Sequence, residues 1–146
     1  MRLEPFVEDE IVPCRGIGLR ADIRAAKDLA NFPVLWREGG SGTRAVVERG
    51  LRAAGLAKRA FAAEIELGST ESIKNAVIAG LGIGFLSRWS IRNELALGRL
   101  IVLPVRELFM RRTFHWALPS GSLSGTALRF HRFCRQDAAA RPFLEV

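Results

Sequence analysis

The sequence predicts an α/β fold in which helices cover both faces of a mostly parallel sheet. Apolar segments of strand length alternate with amphipathic segments of helix length from Pro33 to Leu103, as they do in chains of βαβ crossovers. Most of the helical segments are followed by glycine, which commonly ends a helix. With 146 residues, 49% of them hydrophobic, the chain has the size and composition of one globular domain.

The first elements are placed by their hydrophobic periodicity and by the residues that end them. They are a strand ending at Ile11-Val12-Pro13, a short helix from Ala25 to Ala30, a strand from Pro33 to Trp36 and a helix from about Thr43 to Ala54. The second helix is ended by Gly55, and one of its faces is apolar. That face consists of Val46, Val47, Leu51 and Ala54.

The same order of strand, turn and helix continues along the rest of the chain. The further strands are Glu64 to Leu67, Leu81 to Leu86, Leu100 to Leu103 and Arg112 to Leu118. The further helices are Thr70 to Ala79, Ser90 to Leu97 and Ser124 to Arg135. The closing helix has Leu128, Phe130 and Cys134 available for burial. A sheet between such helices is apolar on both of its faces.

The basic charge of the chain is spread along its whole length. Twenty-two lysine and arginine residues and 15 acidic residues give a formal charge of +7, without a long basic block. A DNA-binding surface requires basic groups gathered on one face, because it neutralises several neighbouring phosphates. Solvated arginines on the outer sides of helices explain this distribution better than a DNA-binding surface does.

The two cysteines, Cys14 and Cys134, are too few and too far apart in sequence to predict a disulfide framework or a zinc site. Such cysteine use is typical of a reducing compartment. The first ten residues contain no apolar run of the signal-peptide kind, and no later segment reaches membrane-spanning length. If Met1 is the true start, we expect a cytoplasmic protein, with no metal and no cofactor.

Two helix entrances form the candidate ligand site. In an open parallel sheet the ligand lies beyond the carboxyl ends of the strands, where helix N-termini present backbone N–H groups and positive dipole ends. The first entrance is Arg37-Glu38-Gly39-Gly40-Ser41-Gly42-Thr43, and the second is Gly68-Ser69-Thr70-Glu71. Glycines let the backbone approach a ligand, and Ser41 or Thr43 can donate a hydroxyl. Small carboxylates or other anions fit this chemistry.

Serine and threonine at a helix start have a structural alternative, because they usually cap the helix by accepting a backbone N–H bond. For Ser69 we favour this cap over a ligand contact. For the segment from Ser41 to Thr43 we favour a ligand loop, since one cap does not require the three neighbouring glycines, whereas an anion site can use them.

The sequence shows no catalytic constellation. Its two histidines, His115 and His131, are not near a nucleophile motif. The segment from Gly40 to Thr43 lacks the spacing of a nucleophile elbow, and no Walker-type lysine follows it. The glycines from Gly80 to Gly84 end a helix and enter a strand, which is the reverse of a dinucleotide fingerprint. Close packing and a helix C-cap explain them. We expect a binding domain and not an enzyme.

Three segments together resemble the substrate-binding domain of LysR-type transcription regulators. They are Asn31 to Arg44 (NFPVLWREGGSGTR), Glu66 to Lys74 (ELGSTESIK) and Ala79 to Ser87 (AGLGIGFLS). Each is a weak signal alone, but their order, spacing and position relative to the strands are specific, and the resemblance spans nearly the whole chain. It implies a Rossmann-like lobe of the type 2 periplasmic-binding-protein-like fold.

In that family two such lobes bind a small effector between them, and a helix-turn-helix domain reads DNA. The resemblance implies that residues 1–112 are the second lobe and that residues 113–146 are the strand and helix returning to the first. On this reading the rest of the first lobe and the DNA-binding domain are absent. The predicted ligand-binding residues are Arg37, Glu38, Gly40, Ser41, Gly42, Thr43, Ser69 and, as a wall residue, Phe85.

The expected function is therefore the sensing of a small anionic metabolite in a homo-oligomeric regulator that contacts DNA only through its helix-turn-helix domain. No membrane partner is expected. The alternative is a lobe of a transport-type solute-binding protein, which shares the architecture but requires a secretory signal. The returning strand, with Phe114, Trp116 and Leu118, would lack the lobe with which it pairs, so we expect the isolated chain to self-associate.

Overall fold

A computed structural model of the chain describes residues 1–56 and 61–136. The strands are β1 (Arg2–Gly16), β2 (Pro33–Arg37), β3 (Ala63–Leu67), β4 (Ile83–Ser87), β5 (Leu100–Val102) and β6 (Arg111–Leu118). The α-helices are α1 (Gly42–Ala53), α2 (Thr70–Ile78), α3 (Arg92–Ala96) and α4 (Gly125–Gln136). Two 3-10 helices span Ala26–Asn31 and Arg88–Ile91. The chain divides into a larger unit, Glu10–Arg111, and a smaller unit, formed by Met1–Asp9 and the residues from Arg112 onward.

The sheet of the larger unit has the strand order β3-β2-β4-β1-β5. β2 pairs in parallel with both β3 and β4, whereas β1 is antiparallel to β4 and to β5. Four strands therefore point the same way, and β1 opposes them. The strands β2, β3 and β4 follow one another through helical crossovers, which parallel pairing requires. The predicted α/β fold with a mostly parallel sheet is confirmed.

Hydrophobic clusters lie on the two faces of this sheet. Neighbouring residues of β2 belong to different clusters. Val34 lies in the first cluster with Val47 of α1, and Leu35 lies in the second cluster with Val77 of α2. This separation follows from the two-residue period of a strand, which directs successive side chains to opposite faces. Helices thus cover both faces, as predicted.

The glycines after the helices have the structural roles that their positions predict. Gly55, Gly80 and Gly98 adopt φ angles of 80°, 79° and 65°, a left-handed conformation that ends helices at little cost for glycine. At Gly84 the backbone runs so close to α2 that an added Cβ would lie 2.5 Å from Cγ2 of Val77. Close packing therefore accounts for this glycine, as expected.

Two local features differ from the prediction. The single helix predicted from Ser90 to Leu97 is a 3-10 helix at Arg88–Ile91 followed by α3, and the short helix predicted at Ala25 to Ala30 is also 3-10. The 3-10 helix at Arg88–Ile91 begins two residues before the predicted start at Ser90. Ser87 caps it, because the Ser87 hydroxyl accepts a hydrogen bond from the Trp89 amide at 3.2 Å. Residues 1–9 and the residues from Arg112 form the smaller unit, and the assignment of residues 1–112 to the second lobe stays a prediction.

In the smaller unit β6 pairs with β1, and α4 follows β6 along the chain. Trp116 of β6 packs against Phe6, with ring centroids 4.7 Å apart, and makes T-shaped contacts with the rings of Phe130 and His131. None of the described residues of α4 is buried. Phe130, which was expected to be available for burial, is 57% exposed. Across residues 1–56 and 61–136, every helix is too short or too polar to cross a membrane.

Candidate functional site

The two predicted helix entrances lie at the same edge of the sheet. β2 and β3 are adjacent and parallel, and their last residues, Arg37 and Leu67, are partners in the register. The loop after β2 leads into α1, and the loop after β3 leads into α2. Helices α1 and α2 therefore begin at the same edge of the sheet, beyond the carboxyl ends of two adjacent strands. Ligands of open α/β sheets bind at such an edge.

Arg37 connects the two entrances. Its Nη1 donates to Oγ1 of Thr70, the first residue of α2, at 2.9 Å. Its Nε and Nη2 donate to the two carboxylate oxygens of Glu38 at 2.7 and 2.8 Å. These hydrogen bonds from Arg37 lower the pKa of Glu38 to about 2, so Glu38 remains charged at any pH near neutrality. The pair places one cation and one anion at the mouth of the loop.

The glycine-rich loop is open on its outer side. Gly40 has a φ of 87°, which strongly favours glycine. A Cβ added to Gly39, Gly40 or Gly42 would meet no atom within 4 Å. Backbone conformation thus explains Gly40, whereas packing does not explain the other two. The openness leaves room for a molecule against this stretch of backbone.

Ser41 and Ser69 both cap helices. The Ser41 hydroxyl accepts from the Arg44 amide at 3.4 Å, at the start of α1. The Ser69 hydroxyl accepts from the Ser72 amide at 3.0 Å, at the start of α2. The cap that we favoured for Ser69 is confirmed. For Ser41 the sequence favours a ligand loop instead, yet Ser41 makes the same kind of cap. Any ligand contact of its hydroxyl would therefore be additional to capping.

Arg44, which the sequence did not single out, forms hydrogen bonds that hold the start of the loop in place. Its Nη1 donates to the Arg37 carbonyl at 2.9 Å and to Glu66 of β3 at 2.6 Å. Its Nε binds Glu48 at 3.0 Å. The hydrogen bonds with Glu48 and Glu66 raise the pKa of Arg44. Its guanidinium also lies over the Trp36 ring, 5.4 Å from the centroid. The carboxyl end of β2 is thereby tied to α1 and to β3.

Comparison with known proteins identifies the family of this chain. The family model described as LysR substrate binding domain matches residues 1–139. The chain belongs to this family. It is also 35% identical over 124 residues to the HTH-type transcriptional regulator CbbR of Rhodospirillum rubrum, an alignment that covers 81% of this chain and 41% of that protein. This LysR substrate-binding domain thus spans less than half the length of that relative.

Solved structures agree with this assignment. The regulatory domain of HypT from Salmonella typhimurium, in its apo-form, matches this LysR substrate-binding domain with a TM-score of 0.75 at 27% identity, over 95% of this chain and 66% of that chain. The CcmR regulatory domain of Synechocystis PCC6803, solved in complex with 2-PG, matches with a TM-score of 0.74 at 26% identity, over 91% and 64%. The expected type of fold is confirmed.

Phe85 is a buried core residue in this LysR substrate-binding domain. Its side chain is 4% exposed and belongs to the core cluster beside α1. Its ring stacks on Trp36 at a centroid distance of 5.8 Å. Its position is therefore that of a packing residue, and a direct ligand contact stays a prediction. Among the described residues, no group of three acidic, histidine or cysteine side chains is arranged to hold a metal ion.

Proposed function

We propose that this chain is the effector-binding domain of a LysR-type transcription regulator. Its effector, we infer, is a small anionic metabolite that binds at the paired entrances of α1 and α2. The supporting observation is the meeting of two helix N-termini at one sheet edge, joined by Arg37. The residues proposed to contact the effector are Arg37, Glu38, Gly40, Ser41, Gly42, Thr43 and Ser69.

Helix geometry favours an anion at this place. The first four N–H groups of a helix have no partner within the helix, and the N-terminus has a partial positive charge. The serine hydroxyls accept from one amide in each helix, those of Arg44 and Ser72. An anion beside both helices would receive hydrogen bonds from further amides of the two first turns.

An anionic effector that binds Arg37 has to compete with the carboxylate of Glu38. Its carboxylate already occupies the fork of the Arg37 guanidinium, and like charges repel at short distance. In the proposed complex the effector carboxylate or phosphate replaces the Glu38 carboxylate in the fork of Arg37, and Glu38 contacts the effector only through its backbone. Glu38→Gln weakens the competing hydrogen bond, so we expect this variant to bind the effector at least as tightly as the unchanged chain does.

The relatives suggest which compounds to test first. The CcmR domain was solved with 2-PG, so 2-PG belongs in a panel of small mono- and dicarboxylates and phosphates. We infer that the whole regulator acts on DNA in the cytoplasm as an oligomer and that this domain transmits effector binding to it. A ligand shifts such an equilibrium only through different affinities for the two states.

A thermal-shift titration of the 146-residue chain tests the proposal. A ligand at 100 times its dissociation constant stabilises by about 2.7 kcal/mol. The double variant Ser41→Ala and Thr43→Ala should lose most of the ligand-induced shift in melting temperature. Because losing a helix cap lowers stability by about 0.5–2 kcal/mol, the readout is the shift caused by ligand and not the melting temperature itself.

The matched control is the exposed pair Ser122→Ala and Thr126→Ala in the smaller unit, which should leave the ligand-induced shift unchanged. If a hit from the panel stabilises the Ser41 and Thr43 double variant as much as the unchanged chain, the effector site has been placed wrongly.

A further inference from the structure

We propose that Arg44 is a positioning residue of the effector site, because it holds the end of β2 in the orientation that effector binding requires. This role rests on the effector site proposed above at the entrances of α1 and α2. Arg44 lies in the first turn of α1, three residues after the capping residue Ser41. Its side chain is 21% exposed, and its guanidinium binds Glu48, Glu66 and the Arg37 carbonyl. Since these acceptors already engage the guanidinium, Arg44 acts through Arg37 and not by contact with the effector.

The stability of α1 does not explain an arginine at this place. The N-terminus of a helix has a partial positive charge, which disfavours a cation in the first turn. In a capping box a serine cap is followed three residues later by glutamate or glutamine, where this chain has Arg44. The order of Arg44 before Glu48 is also the less favourable one for an ion pair within a helix. Residues that break local preferences in this way are expected at functional sites.

The hydrogen bond from Arg44 to the Arg37 carbonyl orients one peptide group of the loop. Nη1 of Arg44 lies 2.9 Å from that carbonyl oxygen. The peptide between Arg37 and Glu38 is trans, and the carbonyl and N–H groups of a trans peptide point in opposite directions. The bond therefore also fixes the direction of the Glu38 N–H group. Because Glu38 is proposed to contact the effector through its backbone, Arg44 sets the direction of a donor to the effector.

The same guanidinium connects this peptide group to the strand that leads to α2. Nη1 of Arg44 donates to Oε2 of Glu66 at 2.6 Å, and Glu66 is the penultimate residue of β3. The guanidinium also lies over the Trp36 ring, 5.4 Å from its centroid, a contact that attracts a cation to the ring face. These contacts hold the ends of β2 and β3 at a fixed spacing from the start of α1. Because the effector is proposed to bind α1 and α2 together, its affinity depends on that spacing.

The test measures the binding of inorganic phosphate to the 146-residue chain, labelled with nitrogen-15, by NMR. The amide signals of Gly40 and Gly42 report on the loop. Arg44→Gln should weaken phosphate binding by about 2- to 10-fold, the range of one net hydrogen bond. Arg49→Gln is the matched control, because it removes the same charge from an exposed position of α1. At physiological ionic strength, where exposed charges are screened, this control should bind phosphate within about twofold of the unchanged chain.

Two further measurements separate positioning from a structural role and from an effect of charge. A residue needed only for stability would lower the midpoint of urea unfolding and the phosphate affinity together. We expect Arg44→Gln to unfold at nearly the same urea concentration as Arg49→Gln, because it also removes a cation from the first turn of α1. Arg44→Lys keeps the charge, but one ammonium nitrogen does not replace the planar fork of a guanidinium. The phosphate affinity of Arg44→Lys should therefore stay near that of Arg44→Gln.

The outcomes distinguish this proposal from the proposed effector site. If phosphate moves the signals of Gly40 and Gly42 and Arg44→Gln binds it as tightly as the unchanged chain, positioning by Arg44 is refuted and the effector site stands. Full recovery of affinity in Arg44→Lys would refute positioning in favour of charge. A urea midpoint that falls together with the affinity would leave Arg44 a structural role only. If neither phosphate nor any carboxylate of the panel moves the two glycine signals, the effector site itself fails, and the role of Arg44 fails with it.

Discussion

The two units of the chain differ in how they are stabilised. In the larger unit, residues 10–111, two hydrophobic clusters fill the space between the sheet and its helices. In the described part of the smaller unit only Leu118 and Asp9 are buried. A sheet with helices on both faces can bury apolar side chains in two directions, whereas one helix against a short strand pair buries few.

Polar contacts are correspondingly prominent in the smaller unit. The buried carboxylate of Asp9 accepts from Nε and Nη2 of Arg112 at 2.8 Å, and the Arg112 guanidinium lies over the Phe114 ring. On the surface, Glu4 binds Arg135 at 2.7 Å. Ion pairs of the exposed kind add little net stability. Stability therefore resides mainly in the larger unit.

The two cysteines should give the largest contrast. Burial raises the pKa of Cys14, in the larger unit, from 9.0 to about 12, whereas Cys134 lies half-buried on α4. At pH 8 this shift reduces the thiolate fraction of Cys14 roughly a thousandfold, and the thiolate is the reactive form. In the folded chain a disulfide reagent should modify Cys134 and leave Cys14 unmodified until urea unfolds the protein. Equal rates for the two thiols would show that the larger unit opens readily.

The second contrast is the removal of an apolar side chain from each unit. Leu35→Ala, at a side chain 1% exposed in the second core cluster, should lower the free energy of unfolding by about 2–5 kcal/mol. Phe130→Ala removes a larger but exposed ring and should cost less than about 1 kcal/mol, mainly its edge contact with Trp116. Urea unfolding measures both. Similar costs would mean that α4 is better buried than the described contacts indicate.

The smallest contrast comes from adding a methyl group to a glycine in each unit. A Cβ at Gly84 would press on Val77 and Ile73, so Gly84→Ala should destabilise by about 1–3 kcal/mol. At Gly121, in the smaller unit, a Cβ would meet nothing within 4 Å. Gly121→Ala should therefore change stability by no more than about 0.5 kcal/mol. The test fails if Gly121→Ala proves the more disruptive of the two in urea unfolding.

The candidate site was predictable to the extent that it depends on local signals. The order of strand, loop and helix placed both entrances at one sheet edge, and Ser69 has the position of a helix cap. The capping role of Ser41 was missed, because three neighbouring glycines favoured a ligand loop. The bonding of Arg44 to Glu48 has the four-residue spacing of a helical pair and was open to detection. The bond of Arg44 to Glu66 joins α1 to β3, and no spacing in the sequence predicts it.

The sequence by itself determined the α/β class, nearly all of the strands and helices, the family and the two helix entrances, because period, caps and glycines act over a few residues. Only the tertiary structure decided that β1 opposes its neighbours, that Arg37 bridges to Thr70, and that Arg44 bonds to Glu66. These features depend on distances between side chains from different elements, which strand order and register set and which local periodicity does not encode.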